Sequence, residues 1–165
     1  MIFLTVGTQF GFDRLVQAVD QCLEQGVIDE EIFAQIGPGR YVPRFMNSTA
    51  SIERDTFIEM IQSCSGIVSH AGIGSITMAL NASRALLVMP RRKKYREHVN
   101  DHQLESAMRF ERLGHVIVAY EVDEMPGQLT RLKSFVPADR FPNRDRVVER
   151  VSEYLSEMLS QPGMR

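Results

Sequence analysis

The chain has 165 residues, 44% of them hydrophobic and 24% charged. That is the length of one domain, or a little more, and it excludes a disordered polyelectrolyte and most complete two-domain enzymes. A formal net charge of -2 gives the domain as a whole no grip on nucleic acid, whose binding rests on phosphate neutralisation, so any anion site must be local.

Ile2 to Val6 is a short apolar run opening into Gly7-Thr8-Gln9, the pattern of a buried strand and its loop. Phe12, Leu15, Val16, Val19, Cys22 and Leu23 recur at helical spacing until Gly26. Ile32 to Ile36 predicts a second strand, stopped by Gly37-Pro38-Gly39, and Tyr41 to Met46 a short extended piece that Pro43 confines to an edge or a loop. A helix is expected from Asp55 to Ser63, then a brief strand at Ile67-Val68 running into SHAGIGS, Ser69 to Ser75, and a helix through Ile76, Ala79 and Leu80. Ala85 to Met89 reads as another buried strand, ended by Pro90; a helix over Asp101 to Leu113 and a strand at Val116 to Val118 follow the basic run Arg91 to Arg96. Met125 to Asn143, with three prolines, is expected to be the loosest stretch, and Val147, Val148, Val151, Tyr154, Leu155 and Met158 predict an amphipathic C-terminal helix over 144–160. Apolar strands alternating with helices imply an α/β domain, a Rossmann-like parallel sheet with helices on both faces, spanning 1–165 as one unit.

The start of the chain lacks a basic region ahead of its apolar residues, and no run of 18 apolar residues occurs, so neither a signal peptide nor a membrane span is expected. Cys22 and Cys64 make no disulfide framework and no Cys-x-x-Cys metal motif, which agrees with a reducing, cytoplasmic setting.

The strongest local signal is the SHAGIGS turn. A strand ends, Gly72 and Gly74 permit close backbone approach, and a helix begins with unpaired N–H groups and the positive end of its dipole exposed, a ready anion site. Gly72-Ile73-Gly74 could start a dinucleotide fingerprint, but the match is poor: Thr77 stands at the third glycine position, the turn is mid-chain, and the next strand ends in Pro90-Arg91 instead of an acid. A plain tight turn is the alternative. Arg91, Arg92, Lys93, Lys94 and Arg96 put five positive charges in six residues just beyond a strand's carboxyl end. They are read as a solvated loop, a phosphate contact or an attraction to an anionic membrane. Glu97-His98-Val99-Asn100-Asp101-His102-Gln103 packs polar groups at a helix start. His98 and His102 have metal-ligand spacing, but Val99 occupies the place of a zinc protease's Glu and no third ligand is evident; a hydrogen-bonding surface for a hydroxyl-rich ligand, or helix capping by Asn100 or Asp101, is the competing reading. His70 divides evenly between a core histidine and a ligand contact.

Taken together, VGTQ with FDRLV (Phe12 to Val16), AQIG (Ala34 to Gly37), SHAGIGSI (Ser69 to Ile76) and VMPRRKKYREHVNDHQ (Val88 to Gln103) resemble the C-terminal domain of family 28 glycosyltransferases. The likeness covers about residues 1–120 and is nearest to small stand-alone bacterial members acting in capsule or exopolysaccharide assembly. These are similar to the soluble donor-binding subunit of the eukaryotic two-subunit enzyme that adds the second N-acetylglucosamine to dolichol-linked sugar. The resemblance implies the C-terminal half of a GT-B enzyme, which transfers a sugar with inversion from a UDP-sugar co-substrate to a lipid-diphosphate-linked acceptor, with no cofactor and no metal. It also implies a membrane-associated acceptor-binding partner that recruits the chain to the inner face of the membrane. Carried over by position, Gly72, Ile73, Gly74 and Ser75 resemble the diphosphate cradle; His70, inside the same turn, is counted with the site, and Arg91 or Arg92 is expected to help stabilise the departing diphosphate. Asp101, His102 and Gln103 resemble the sugar readers, and Thr8 and Gln9 the first loop of the cleft. Glu97, His98 and Asn100 fall in the same matched segment; the general base is left open between the partner and this chain, where His98 and Glu97 are the candidates. Met78 stands where related enzymes often carry a ribose-binding Glu, and a thioether cannot replace a carboxylate's hydrogen bonds. A non-catalytic nucleotide-sugar or phosphate-binding regulatory module is the alternative function.

Overall fold

A computed structural model describes residues 1–138. Its strands are β1 (Ile2–Thr5), β2 (Ile32–Gln35), β3 (Asn47–Thr49), β4 (Gly66–His70), β5 (Leu86–Met89) and β6 (Ile117–Val118). The helices are α1 (Asp13–Glu24), α2 (Arg54–Ser63), α3 (Ile73–Asn81), α4 (His102–Arg112) and α5 (Met125–Leu132). The strands pair in parallel in the order β3-β2-β1-β4-β5-β6, with Leu4 of β1 level with Ala34 of β2 and Val68 of β4. This is the doubly wound order that reverses direction between β1 and β4, and the Rossmann-like α/β sheet expected from the sequence is the one observed.

Strand alternation divides the core in two. Leu4, Val6, Ala34, Val68, Leu87, Met89 and Ile117 point to the face covered by α1 and α5, where they meet Leu15, Val19, Leu129 and Leu132. Phe3, Ile67, Leu86, Val88 and Val118 point to the other face, against Ile61 of α2, Ile76 and Leu80 of α3 and Ala107 of α4. Both faces of the central strands are buried, which is why their sequences read as continuous apolar runs.

Two elements differ from expectation. The extended piece predicted over Tyr41 to Met46 is a loop, and the edge strand is the next three residues, Asn47–Thr49. The loop is shaped by Asp20, a buried carboxylate on α1 that accepts the Tyr41 hydroxyl at 2.6 Å and the backbone N–H groups of Arg44 and Phe45 at 2.9 and 2.8 Å. The stretch expected to be loosest begins with a helix, α5, whose Pro126 falls in the first turn where a missing N–H costs nothing, and whose Met125, Leu129 and Leu132 are buried. The predicted helix over 144–160 lies outside the described residues.

Candidate functional site

In open parallel sheets ligands bind beyond the carboxyl ends of the strands where the winding reverses. At that place a cleft of about 230 Å3 opens between the loop after β1, the turn after β4 and the segment after β5. Thr8, Gln9 and Phe10 line it from the first loop, His70, Gly74 and Ser75 from the glycine turn, and Arg91, His98 and Gln103 from the third segment. A larger hollow of about 450 Å3 lies at the opposite edge, beside Glu30, Glu31 and Asn47, away from the glycine turn and from the edge where such sheets bind ligands.

Backbone geometry explains the glycine turn. Gly7 has φ +80°, and a Cβ there would stand 3.0 Å from the His70 ring; a Cβ on Gly72 would stand 2.3 Å from His70 Nε2. The imidazole is thus held between two glycines, one from each side of the winding reversal. Burial above all, with the positive charge of Arg91 second, lowers His70 to about 4, so the ring is neutral at neutral pH. Gly72 precedes α3 as its cap, no side chain caps the helix, and the first intrahelical bond is made by Ile76 N–H to Gly72 O at 3.0 Å. The N–H groups of Ile73, Gly74 and Ser75 therefore begin the helix without intrahelical acceptors. A Cβ on Gly74 would meet nothing within 4 Å, so that side of the turn is open to an approaching ligand.

The segment after β5 behaves differently. Arg91 is 2% exposed, and its guanidinium donates to the carbonyls of Val6 at 2.9 Å, Phe10 at 2.9 Å and Gly11 at 2.5 Å. Burial draws it down to about 10, still a cation at neutral pH. Arg92 lies 3.8 Å from Asp101 and 3.7 Å from Glu121, and its backbone N–H donates to Glu97. Glu97 accepts Arg14 through both oxygens, at 2.7 and 2.9 Å, and is not among the residues lining the cleft. Gln103 accepts the backbone N–H of Arg91 at 3.1 Å through its side-chain oxygen and is among the residues lining the cleft. Gly72, Ile73, Arg92, Asn100, Asp101 and His102 also stand outside the lining.

His98 and His102 meet edge to face with centroids 4.6 Å apart, and His98 reaches Phe10 in the same way at 6.4 Å. His102 is bonded to Asn100 through its ring and backbone nitrogens, and Asp101 accepts the Lys93 backbone N–H at 2.8 Å. Among the described residues no group of three or more His, Cys, Asp or Glu is arranged to hold a metal ion. His98 Nδ1 is buried without a hydrogen-bond partner. Phe10, 56% exposed, is the lining residue that the sequence reading passed over; an aromatic directly after Gly7-Thr8-Gln9 was its one visible sign. Met78 on α3 is 38% exposed, beside Ile58, Ile61 and Ala82 and not in the cleft.

A doubly wound parallel sheet with an uncapped helix start at its reversal point defines this chain as a Rossmann-like domain of the kind from which GT-B glycosyltransferases build their halves. The chain belongs to the glycosyltransferase family 28 C-terminal domain family, whose model matches residues 1–135. It is 31% identical over 143 residues to human UDP-N-acetylglucosamine transferase subunit ALG13, an alignment covering 81% of this chain and 12% of that protein's length. In fold it is similar to the solution structure of ALG13, with a TM-score of 0.57 at 18% identity, covering 88% of this chain and 93% of that one. It is likewise similar to the glycosyltransferase of kitacinnamycin, with a TM-score of 0.59 at 17% identity, covering 92% of this chain and 37% of that one.

Proposed function

We propose that this chain is the donor-binding subunit of a glycosyltransferase. It would transfer a sugar from a UDP-sugar, UDP-N-acetylglucosamine being the first to test, to a lipid-diphosphate-linked acceptor in polysaccharide or oligosaccharide assembly. The observation that carries the reading is the uncapped start of α3 with Gly74 and Ser75 open to the cleft. In this reading the N–H groups of Ile73, Gly74 and Ser75 receive the diphosphate. As the acceptor oxygen bonds to the anomeric carbon and the bond to UDP breaks, those fixed donors stand where negative charge develops. Gln103 reads the sugar, with Asp101 and His102, which stand outside the lining, as further sugar contacts; Thr8 and Gln9 border the acceptor side. Neutral His70 adds no like charge that would compete with neighbouring cations and no negative charge that would repel the diphosphate. No bound cofactor is required.

Among the described residues no carboxylate lines the cleft. The group that takes the acceptor's proton is therefore assigned either to His98 or to a second subunit that binds the acceptor at the cytoplasmic face of a membrane. No helix among the described residues is long and apolar enough to cross a membrane, which agrees with recruitment by such a partner. The same lack of a carboxylate favours a second reading, a non-catalytic nucleotide-sugar or phosphate-binding regulatory module.

Calorimetric titration with UDP, UDP-N-acetylglucosamine, UDP-glucose and UDP-galactose tests the proposal, with thermal shift as a check because a ligand that prefers the folded state raises apparent stability. Binding of UDP and preference for one sugar is expected. Binding of none of the four, alone or with the acceptor subunit present, would remove it. Transfer restored by adding this chain to the acceptor subunit separates a catalytic subunit from a regulator, which would leave transfer unchanged.

A further inference from the structure

The two outer walls of the cleft, residues 6–11 after β1 and 90–101 after β5, come from strands that are not neighbours; β4 lies between them. Two arginines cross that gap in opposite directions. Arg91, on the β5 side, gives its guanidinium to Val6, Phe10 and Gly11 carbonyls on the β1 side. Arg14, in the first turn of α1 on the β1 side, gives its guanidinium to Glu97 at 2.7 and 2.9 Å and to the Pro90 carbonyl at 2.9 Å on the β5 side. Both cations lie over the Phe12 ring, Arg91 at 4.5 Å and Arg14 at 5.3 Å from its centroid, and Tyr95 covers Arg14 at 4.6 Å. The Arg14 and Glu97 side chains are only 14% and 13% exposed, so solvent screens this pair weakly.

We infer that Arg91 and the Arg14–Glu97 pair form a reciprocal clasp that fixes the two walls of the cleft relative to each other, making all three positioning residues of the donor site rather than ligands or bases. The inference deepens the donor-subunit reading and rests on it for its ligand. The three carbonyls and the backbone N–H of Arg92 that Glu97 also accepts are groups whose directions set wall height. A guanidinium serving three carbonyls has no second fork left for a diphosphate, and a carboxylate taken by a bidentate arginine is a poor proton acceptor. His70 faces the cleft with Gly7 of the β1 wall against its ring, so walls released from the clasp would admit water to it.

The test uses E97Q, R14K, their double variant and R91K in the full chain, with two readouts. The first is the NMR titration of His70, which needs no ligand. In the unsubstituted chain it is expected near 4, and in E97Q and R14K, whose charges are not among those acting on the ring, it is expected to rise toward the ordinary histidine value as the loosened walls admit water. The second is the UDP dissociation constant. It is expected to rise about tenfold in E97Q and in R14K, the scale of coupling within one hydrogen-bonded network, and no further in the double variant than in the worse single one. Unchanged His70 titration together with additive or absent affinity losses would overturn the clasp. Loss of UDP affinity in R91K alone, with E97Q and R14K like the parent, would make Arg91 a diphosphate ligand instead. Failure of the unsubstituted chain to bind UDP would sink the donor reading but leave the His70 titration to decide the clasp. If E97Q does not fold, R14K carries both readouts.

Discussion

The glycine turn after β4 and the basic segment after β5 stand at the same edge of one sheet and look equally suited to an anion in the sequence, yet they present opposite chemistry. The turn offers backbone donors that α3 cannot satisfy from within, with no side-chain cap and open space at Gly74. Much of the charged segment has engaged its own groups: Arg91 with three carbonyls, Glu97 with Arg14, Lys94 with Glu121 at 2.6 Å. The lesson is about availability. A long charged side chain can turn to find a partner, and a dense run of them on a folded surface does so; the first N–H groups of a helix point outward by construction and wait for something external.

The sharpest way to break this contrast is G72L. A side chain at a place where even a Cβ would lie 2.3 Å from His70 Nε2 must displace the ring and the turn, and UDP affinity is expected to fall about a hundredfold or more while overpacking costs about 1–3 kcal/mol of stability. Calorimetry and urea unfolding on the same preparation separate the two; UDP affinity equal to the parent's would move the anion site elsewhere.

The next effect is one of pH. His70 has its folded value lowered to about 4, below the ordinary 6.5, so the unfolded chain binds the proton more readily. Its contribution to stability is complete above about pH 6.5 and is lost as pH falls through about 4, a difference of about 3 kcal/mol by linkage. Urea unfolding of the parent against H70Q at pH 7 and pH 4 reads it: the parent should lose that much more stability than the variant, and parallel losses would contradict a buried neutral ring.

G74A is a smaller and two-sided perturbation. With nothing within 4 Å of the added methyl, replacing glycine in the first turn of α3 should stabilise the fold by about 0.5 kcal/mol and still weaken UDP binding, because the methyl stands where the ligand approaches. Unimpaired binding would place the diphosphate off the turn. Smallest of all, K94A removes an exposed ion pair with Glu121 and is expected to change neither melting temperature nor UDP affinity measurably. A clear loss of affinity there would show the basic segment to be a ligand site after all.

Sequence pattern carried the central strands, the glycine turn and the parallel α/β character well, because strands buried on both faces and a glycine-opened helix leave clear runs; the strand order itself came from the structure. It missed β3, whose Asn-Ser-Thr has no apolar signature and which pairs with β2 through the parallel ladder. It missed α5 because Pro126 and Gly127 read as breakers until the proline proved to occupy the first turn. Within the site, Thr8, Gln9, Gly74, Ser75, His98 and Gln103 come together as their positions suggested. The engagement of Arg91 and Glu97 was hidden because their partners lie 80 and 83 residues away, at Gly11 and Arg14, and local spacing cannot register a contact made only when β1 and β5 are folded around β4.

The buried side chain of Gln35 bears on how the cleft responds to its medium. Its oxygen accepts the Thr5 hydroxyl at 2.7 Å, and its nitrogen donates to the carbonyls of Gly7 at 3.0 Å and Ala50 at 3.1 Å. An uncharged amide thus anchors the base of the first loop, and an amide neither titrates in the physiological range nor attracts counterions. Ionic strength then has little purchase on this anchor, so any salt dependence of the wall geometry traces to the Arg14–Glu97 side of the cleft and not to the base of the first loop.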